Sequence, residues 1–307
     1  MSWPKPLVEV SGPMRADKIE GAALGMGDWG ARNQALFARG IVQPDMLTGL
    51  TLFLLSNQPR DPKKVQKIPG GAGGVAGGVW VRERFTISRP MKHDEAFIVQ
   101  GDSVGRHVHK GRRYGTTRSE TLDTQGKRIA QNLTTGLLAY KVQEGLEDSL
   151  EGEDPDLISA PTADRAAAMN NPCLAQLATL KPGCEFGGHE VNVSLAMMQA
   201  RDTQKPDNPI HSDPELARKA GLSRPIAGGS HVLAFVCEAI MQEVGEEALL
   251  HGANFDVRWK APVHADSVIF PSVQVAAVSA DLVVLDCTVR LADGAIAMVS
   301  QIRIPLT

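Results

Sequence analysis

Asp207-Asn208-Pro209-Ile210-His211, with Asp213-Pro214 close behind, sets a carboxylate and an imidazole within a few residues of each other. The segment is too rich in Asn and Pro for regular structure. A residue before proline is driven away from helical dihedrals, so Asn208 and Arg224 mark bends. A stiff loop that presents Asp207 and His211 together suits acid–base chemistry. Histidine titrates near neutral pH, and a neighbouring carboxylate can orient its ring. The plainer reading is an Asx turn ahead of a helix, with His211 as a surface or capping group. The residues downstream favour chemistry. Ala217 to Gly221 closes a short helix, and Pro225-Ile226-Ala227-Gly228-Gly229-Ser230-His231 then leads into the apolar run from Val232 to Met241. That run predicts a helix buried against a sheet. Glycines at its start leave N–H groups uncovered at the positive end. Such an end can hold an oxygen that gains negative charge during reaction. An acid–base pair before a donor-bearing helix start is the order an enzyme acting on a carbonyl compound needs.

Asn208, Pro209, Ile210, His211, Asp213, Ala217 and Pro225 to Gly229 resemble the MaoC-like, (R)-specific enoyl-CoA hydratase/dehydratase family. Its motif is Gly-Asp-x-Asn-Pro-aliphatic-His, with Ala or Ser six residues past the His. The match covers Asn208, Pro209, Ile210, His211 and Ala217, while the family's Asp falls on Pro206 and its Gly on Lys205. The carboxylate then comes from Asp207, one position late, or from Asp202 upstream; Asp207 is the reading taken. The resemblance implies an α+β fold of the double hot-dog type, two tandem repeats that each wrap an antiparallel sheet around a long central helix. It implies reversible hydration of a 2-enoyl thioester to an (R)-3-hydroxyacyl thioester. Asp207 and His211 would be the acid–base pair and Gly229 the oxyanion donor, with Asn208, Ala227, Gly228 and Ser230 against the substrate. An acyl-CoA or acyl-carrier thioester is the expected partner, in a homodimer that needs no cofactor and no metal. Two other functions stay open: hydrolysis of the thioester, as in other hot-dog proteins, and non-catalytic acyl-CoA binding.

Internal duplication is legible by eye. Arg89-Pro90-Met91-Lys92-His93-Asp94 echoes Ala261-Pro262-Val263-His264-Ala265-Asp266, each after a strand-like stretch (Val81 to Ser88 and Asn254 to Lys260). Asp123-Thr124-Gln125-Gly126 and Leu291-Ala292-Asp293-Gly294 both predict hairpin turns, and Pro44 to Phe53 is the counterpart of the helix that starts near Ala227. The expected division is a first repeat over 1–142, an acidic linker over 143–160 and a second repeat over 161–307. No histidine occurs in residues 1–92, so the first copy has nothing at the place of His211. It would shape the acyl-binding space while the second repeat carries the chemistry.

Composition bounds the remaining classes. A length of 307 residues suits two units, and 43% hydrophobic residues suffice for ordinary cores. A net charge of −3 and 5% aromatics argue against a nucleic-acid protein. Cys173, Cys184, Cys237 and Cys287 are widely spaced, as in a reducing compartment. The N-terminus has no secretory pattern and the apolar runs are too short to span a bilayer, so a cytoplasmic protein is expected. Gly70 to Gly78 holds six glycines in nine positions, without the Lys-Ser/Thr of a phosphate loop. It predicts a mobile loop. Arg106, Lys110, Arg112, Arg113 and Arg118, with His107 and His109, predict the solvated ends of a long hairpin, which could meet the coenzyme A phosphates. His231 is expected in the core and His264 in a surface turn.

Overall fold

A computed structural model of the chain describes residues 3–58, 79–138, 142–162, 165–202 and 209–307. Asp207, Asn208, Lys205, Pro206 and the stretch Gly70 to Gly78 lie outside these residues. The strands are β1 (Lys5–Pro6), β2 (Val10–Ser11), β3 (Val79–Ile87), β4 (Phe97–His109), β5 (Arg112–Asp123), β6 (Arg128–Leu137), β7 (Ser149–Gly152), β8 (Glu185–Gly187), β9 (Val191–Val193), β10 (Asn254–Trp259), β11 (Ser267–Val278), β12 (Leu282–Leu291) and β13 (Ile296–Pro305). They pair into one sheet ordered β1-β4-β5-β6-β3-β10-β13-β12-β11-β8, with β2 and β7 also on β4 and β9 on β11. The order is one four-strand meander used twice. β4-β5-β6-β3 meets β11-β12-β13-β10 along the antiparallel pair β3–β10.

At the middle of that seam Phe85 faces Phe255, their rings 4.2 Å apart and 7° from parallel. The two residues map onto each other when the repeats are exchanged. The helices follow suit: α1 (Ala16–Leu24), α2 (Ala31–Ala38) and α3 (Gly49–Ser56) serve the first repeat. The second has α4 (Arg165–Ala168), α5 (Leu174–Leu177), α6 (Leu195–Arg201), α7 (Pro214–Lys219) and α8 (Gly229–Val244). α3 packs on β4 and β5, and α8 on β8, β11 and β12. Strands with alternating inward apolar residues must bury that face, and each central helix supplies the partner. Phe255, Val257, Leu285 and Ile302 are fully buried on the α8 side.

The two hairpin turns have the same build. Gly126 N–H donates to the Asp123 carbonyl at 2.9 Å and Gly294 N–H to Leu291 at 2.9 Å. Both glycines sit at positive φ (77° and 86°), a conformation that a side chain would strain. The β4–β5 tip turns on Lys110 and Gly111, also both at positive φ, as a tight two-residue hairpin requires. The stretch expected as an acidic linker is largely exposed and also pairs with the first repeat. Asp148 accepts from Lys110 N–H and sits 3.0 Å from His109, β7 adds to the edge of β4, and Arg82 and Arg84 bond to Asp156 and the Ile158 carbonyl. Its acidic charge is matched to the basic hairpin beside it.

Candidate active site

His211 ends the 3-10 turn Pro209–His211, between α6 and α7. Three local devices fix that turn. Ile210 is buried and its carbonyl accepts from Ile226 N–H. Asp213 caps α7 by accepting from Glu215 and Leu216 N–H, with Pro214 in the first helical turn. Ala217, on α7, is wholly buried and anchors that helix. The His211 ring then has one determined orientation: Nδ1–H donates to the Ile226 carbonyl at 2.7 Å. The proton is thereby committed to Nδ1, and Nε2 keeps its lone pair. Burial, opposed by the Ile226 carbonyl and aided by the nearby charge of Arg201, holds the imidazole below its ordinary pKa. At neutral pH it is a base.

Nε2 faces the start of α8. A methyl group placed on Gly228 would lie 3.9 Å from His211 Nε2 and 4.0 Å from Ser230 Oγ. Gly228 is the N-cap, extended at φ −61° and ψ 149°, and no side chain caps the helix. Among the described residues the N–H groups of Gly229 and Ser230 find no acceptor, whereas those of His231 and Val232 turn back to the Gly228 carbonyl. Gly229 cannot be larger: a Cβ there would fall 2.8 Å from the Trp259 ring, whose Nε1–H donates to the Gly229 carbonyl at 3.1 Å. Ala227 is nearly buried and spends its N–H on Val263, so it is wall rather than donor. A base with a free lone pair therefore stands beside free N–H donors at a helix N-terminus.

Two charged groups lie near His211: Arg201, which carries no sequence signal, and Asp202, the alternative carboxylate. Arg201, at the end of α6, bonds the buried carboxylate of Asp45 in the first repeat and the Ala22 carbonyl. Asp202 accepts from Ser212 Oγ, one residue from His211, and burial pushes its carboxyl up to about 6. It is the described carboxylate beside the His211 turn. His231 lies in the core as expected, with Nε2–H donating to the Gly25 carbonyl at 2.8 Å and burial pushing it down to about 3. A cleft of about 260 Å³ opens farther along α8 between Trp29, Phe186 and Phe235, and neither His211 nor Gly229 lines it. Among the described residues no His/Cys/Asp/Glu cluster could hold a metal.

The first repeat shows what is missing from it. Val42 N–H bonds Met91 as Ala227 N–H bonds Val263, and His93 N–H bonds Gly40 as Ala265 N–H bonds Pro225. The isolated bridges Ile41–Lys92 and Ile226–His264 repeat the same match. Counting on from these pairs puts Pro44 at the place of Gly229 and Asp45 at that of Ser230. Pro44 has no N–H to offer an oxyanion. The Asp45–Arg201 pair occupies the ground that the open helix start has in the second repeat.

Two meanders side by side in one sheet, each on its own helix, with a histidine facing the open helix start of the second, define a double hot-dog protein whose candidate site lies in the second repeat. Residues 204–283, within the second repeat, match the model of the MaoC like domain. A solved MaoC-like dehydratase superposes with a TM-score of 0.68 at 15% identity, over 98% of this chain and 96% of that one. HtdX from Mycobacterium tuberculosis gives 0.61 at 16% identity, over 96% and 99%. Peroxisomal multifunctional enzyme type 2 from Drosophila melanogaster gives 0.64 at 14%, with 97% of this chain covering 48% of that enzyme. No curated protein matches the chain. No helix among the described residues is long and apolar enough to cross a membrane.

Proposed function

We propose that the chain adds water reversibly across the double bond of a 2-enoyl thioester, carried on coenzyme A or a carrier protein, to give an (R)-3-hydroxyacyl thioester. The observation that carries this reading is the lone pair of His211 Nε2 beside the uncovered N–H groups that open α8. His211, with Asp207 as its carboxylate partner, takes a proton from water as the water oxygen bonds to C3. The alkene electrons move through C2 onto the thioester oxygen. Gly229 N–H, with Gly228 at the N-cap, receives that oxygen; one such donor is worth about 3 kcal/mol in the transition state. The proton then passes to C2 and the carbonyl re-forms. Asn208 and Ser230 border the acyl group and Ala227 closes the wall behind it.

The test is hydration of crotonyl-CoA, followed by loss of the enoyl-thioester absorbance. His211→Ala should lower kcat by about a hundredfold or more while circular dichroism and melting temperature stay near wild type. Near-normal hydration by a folded variant ends the proposal. Hydrolysis is the second reading, supported by a TM-score of 0.52 to a putative oleoyl thioesterase from Lactobacillus plantarum. Free thiol released on mixing with acyl-CoA, at unchanged enoyl absorbance, would select it.

A further inference from the structure

The two repeats share a backbone plan but not an interior. On the face that α8 covers, Phe255 on β10 is followed across the sheet by Ile302 and Leu285. The matching row in the first repeat is Phe85, Asn132 and Ser119. One row over, Ile304 and Val283 of the second repeat correspond to Thr134 and Thr117, and Glu83 stands beside Thr134. These polar residues are as buried as the aliphatic ones they replace: Glu83 is 0% exposed, Asn132 1% and Thr134 3%. α3 closes over them, with Thr51 Oγ 2.8 Å from Ser119 Oγ.

Several of these groups lack partners. Asn132 Nδ2–H is used by Glu83 Oε1 at 2.8 Å and the Leu47 carbonyl at 3.2 Å. Asn132 Oδ1 and Thr121 Oγ1 have none, and Glu83 Oε2 and Thr134 Oγ1 have at most each other. A buried polar atom without a partner costs about 1–3 kcal/mol, so a sheet face with two such atoms beside a sparsely paired carboxyl and hydroxyl calls for a ligand group. A relay of contacts links the cluster to the candidate site. Leu47 lies two residues past Asp45, whose carboxylate holds Arg201, and the charge of Arg201 acts on His211.

We infer that this interior receives a neutral hydrogen-bonding group, a hydroxyl or keto oxygen, on the distal part of the substrate's acyl chain; the inference rests on the thioester reading above. Charge supports neutrality. The arginines of β3, Arg82 and Arg84, project from the other face and bond Asp256, Asp156 and the Ile158 carbonyl, so a carboxylate-bearing chain would meet no free cation among them. Burial pushes the Glu83 carboxyl up to about 8, which leaves it protonated at neutral pH and able to donate. Donor and acceptors together match an oxygen-bearing carbon better than a plain alkyl chain.

Calorimetric binding of non-reacting esters tests this on the intact chain. The ligands are octanoyl-CoA and octanoyl esters hydroxylated at successive carbons of the distal half. One hydroxylated ester should bind about tenfold more tightly than octanoyl-CoA, the worth of one buried hydrogen bond. Asn132→Leu combined with Thr134→Val should bring the two to parity; if that pair unfolds, Thr134→Val alone should cut the preference at least by half. Octanoyl-CoA binding as well as every hydroxylated ester, binding of no ester, or an unchanged preference in the folded variants overturns the inference. Crotonyl-CoA turnover is scored separately. Lost hydration with a retained preference brings down the hydratase reading alone, and hydration without preference brings down this one alone.

Discussion

His211 is set by a single bond to the Ile226 carbonyl, and that bond decides which nitrogen can act. Two carboxylates compete to be its partner. Asp207→Asn should lower the hydration rate by about a hundredfold or more, as expected for loss of an acid–base partner. Asp202→Asn should leave it within a few fold, since that carboxyl is bound to Ser212. The reverse pattern would transfer the role to Asp202. An acid limb near pH 6 that disappears in Asp202→Asn would say the same, because burial pushes that carboxyl to about 6. At this scale the sequence showed His211, Gly228, Gly229 and Ser230 through their order along the chain. It could not show Arg201, Asp45 or Trp259, which reach the site only through tertiary packing and stand in no local pattern.

Turns and central helices are the elements that a sequence states openly. Gly126 and Gly294 occur where only positive φ closes the hairpin, and the run from Val232 to Met241 is apolar on more than one face. β1, β2, β8 and β9 were silent because two or three residues carry no periodicity; their existence is a matter of what β4 and β11 leave unpaired. Glu83 was silent for another reason, since a strand with charged neighbours on both sides looks like a solvated one. Its burial has a thermodynamic signature. A carboxyl raised from 4.5 to about 8 on folding binds more protons in the native state, so its contribution is complete below the unfolded pKa and is lost as pH rises towards about 8. Wild type should therefore lose stability between pH 5 and 8 relative to Glu83→Gln, by about a few kcal/mol. Urea midpoints at the two pH values measure it, and parallel curves for the two proteins would remove the buried-carboxyl account.

The whole molecule is held at its seam by β3–β10 and by contacts that cross between repeats. Glu238 on α8 accepts the N–H groups of Arg32 and Asn33 at the start of α2, and Arg201 reaches Asp45. The halves should unfold together. Phe255→Ala removes one ring of the central stack and should cost about 3–5 kcal/mol in a single cooperative transition. Two separated transitions in calorimetry would show that each half stands alone. The duplication was visible in the paired turns and the Pro-to-Asp spacing, but the docked path of residues 149–161 was not, because its acidic composition hides partners on distant strands. Pro44 has a last consequence. Reviving chemistry in the first repeat would take a histidine on one element and the removal of an imino acid from another, and neither change is useful without its fellow. Under the proposed mechanism no single substitution would start turnover there, which would leave that repeat open to reshaping by whatever it must accommodate.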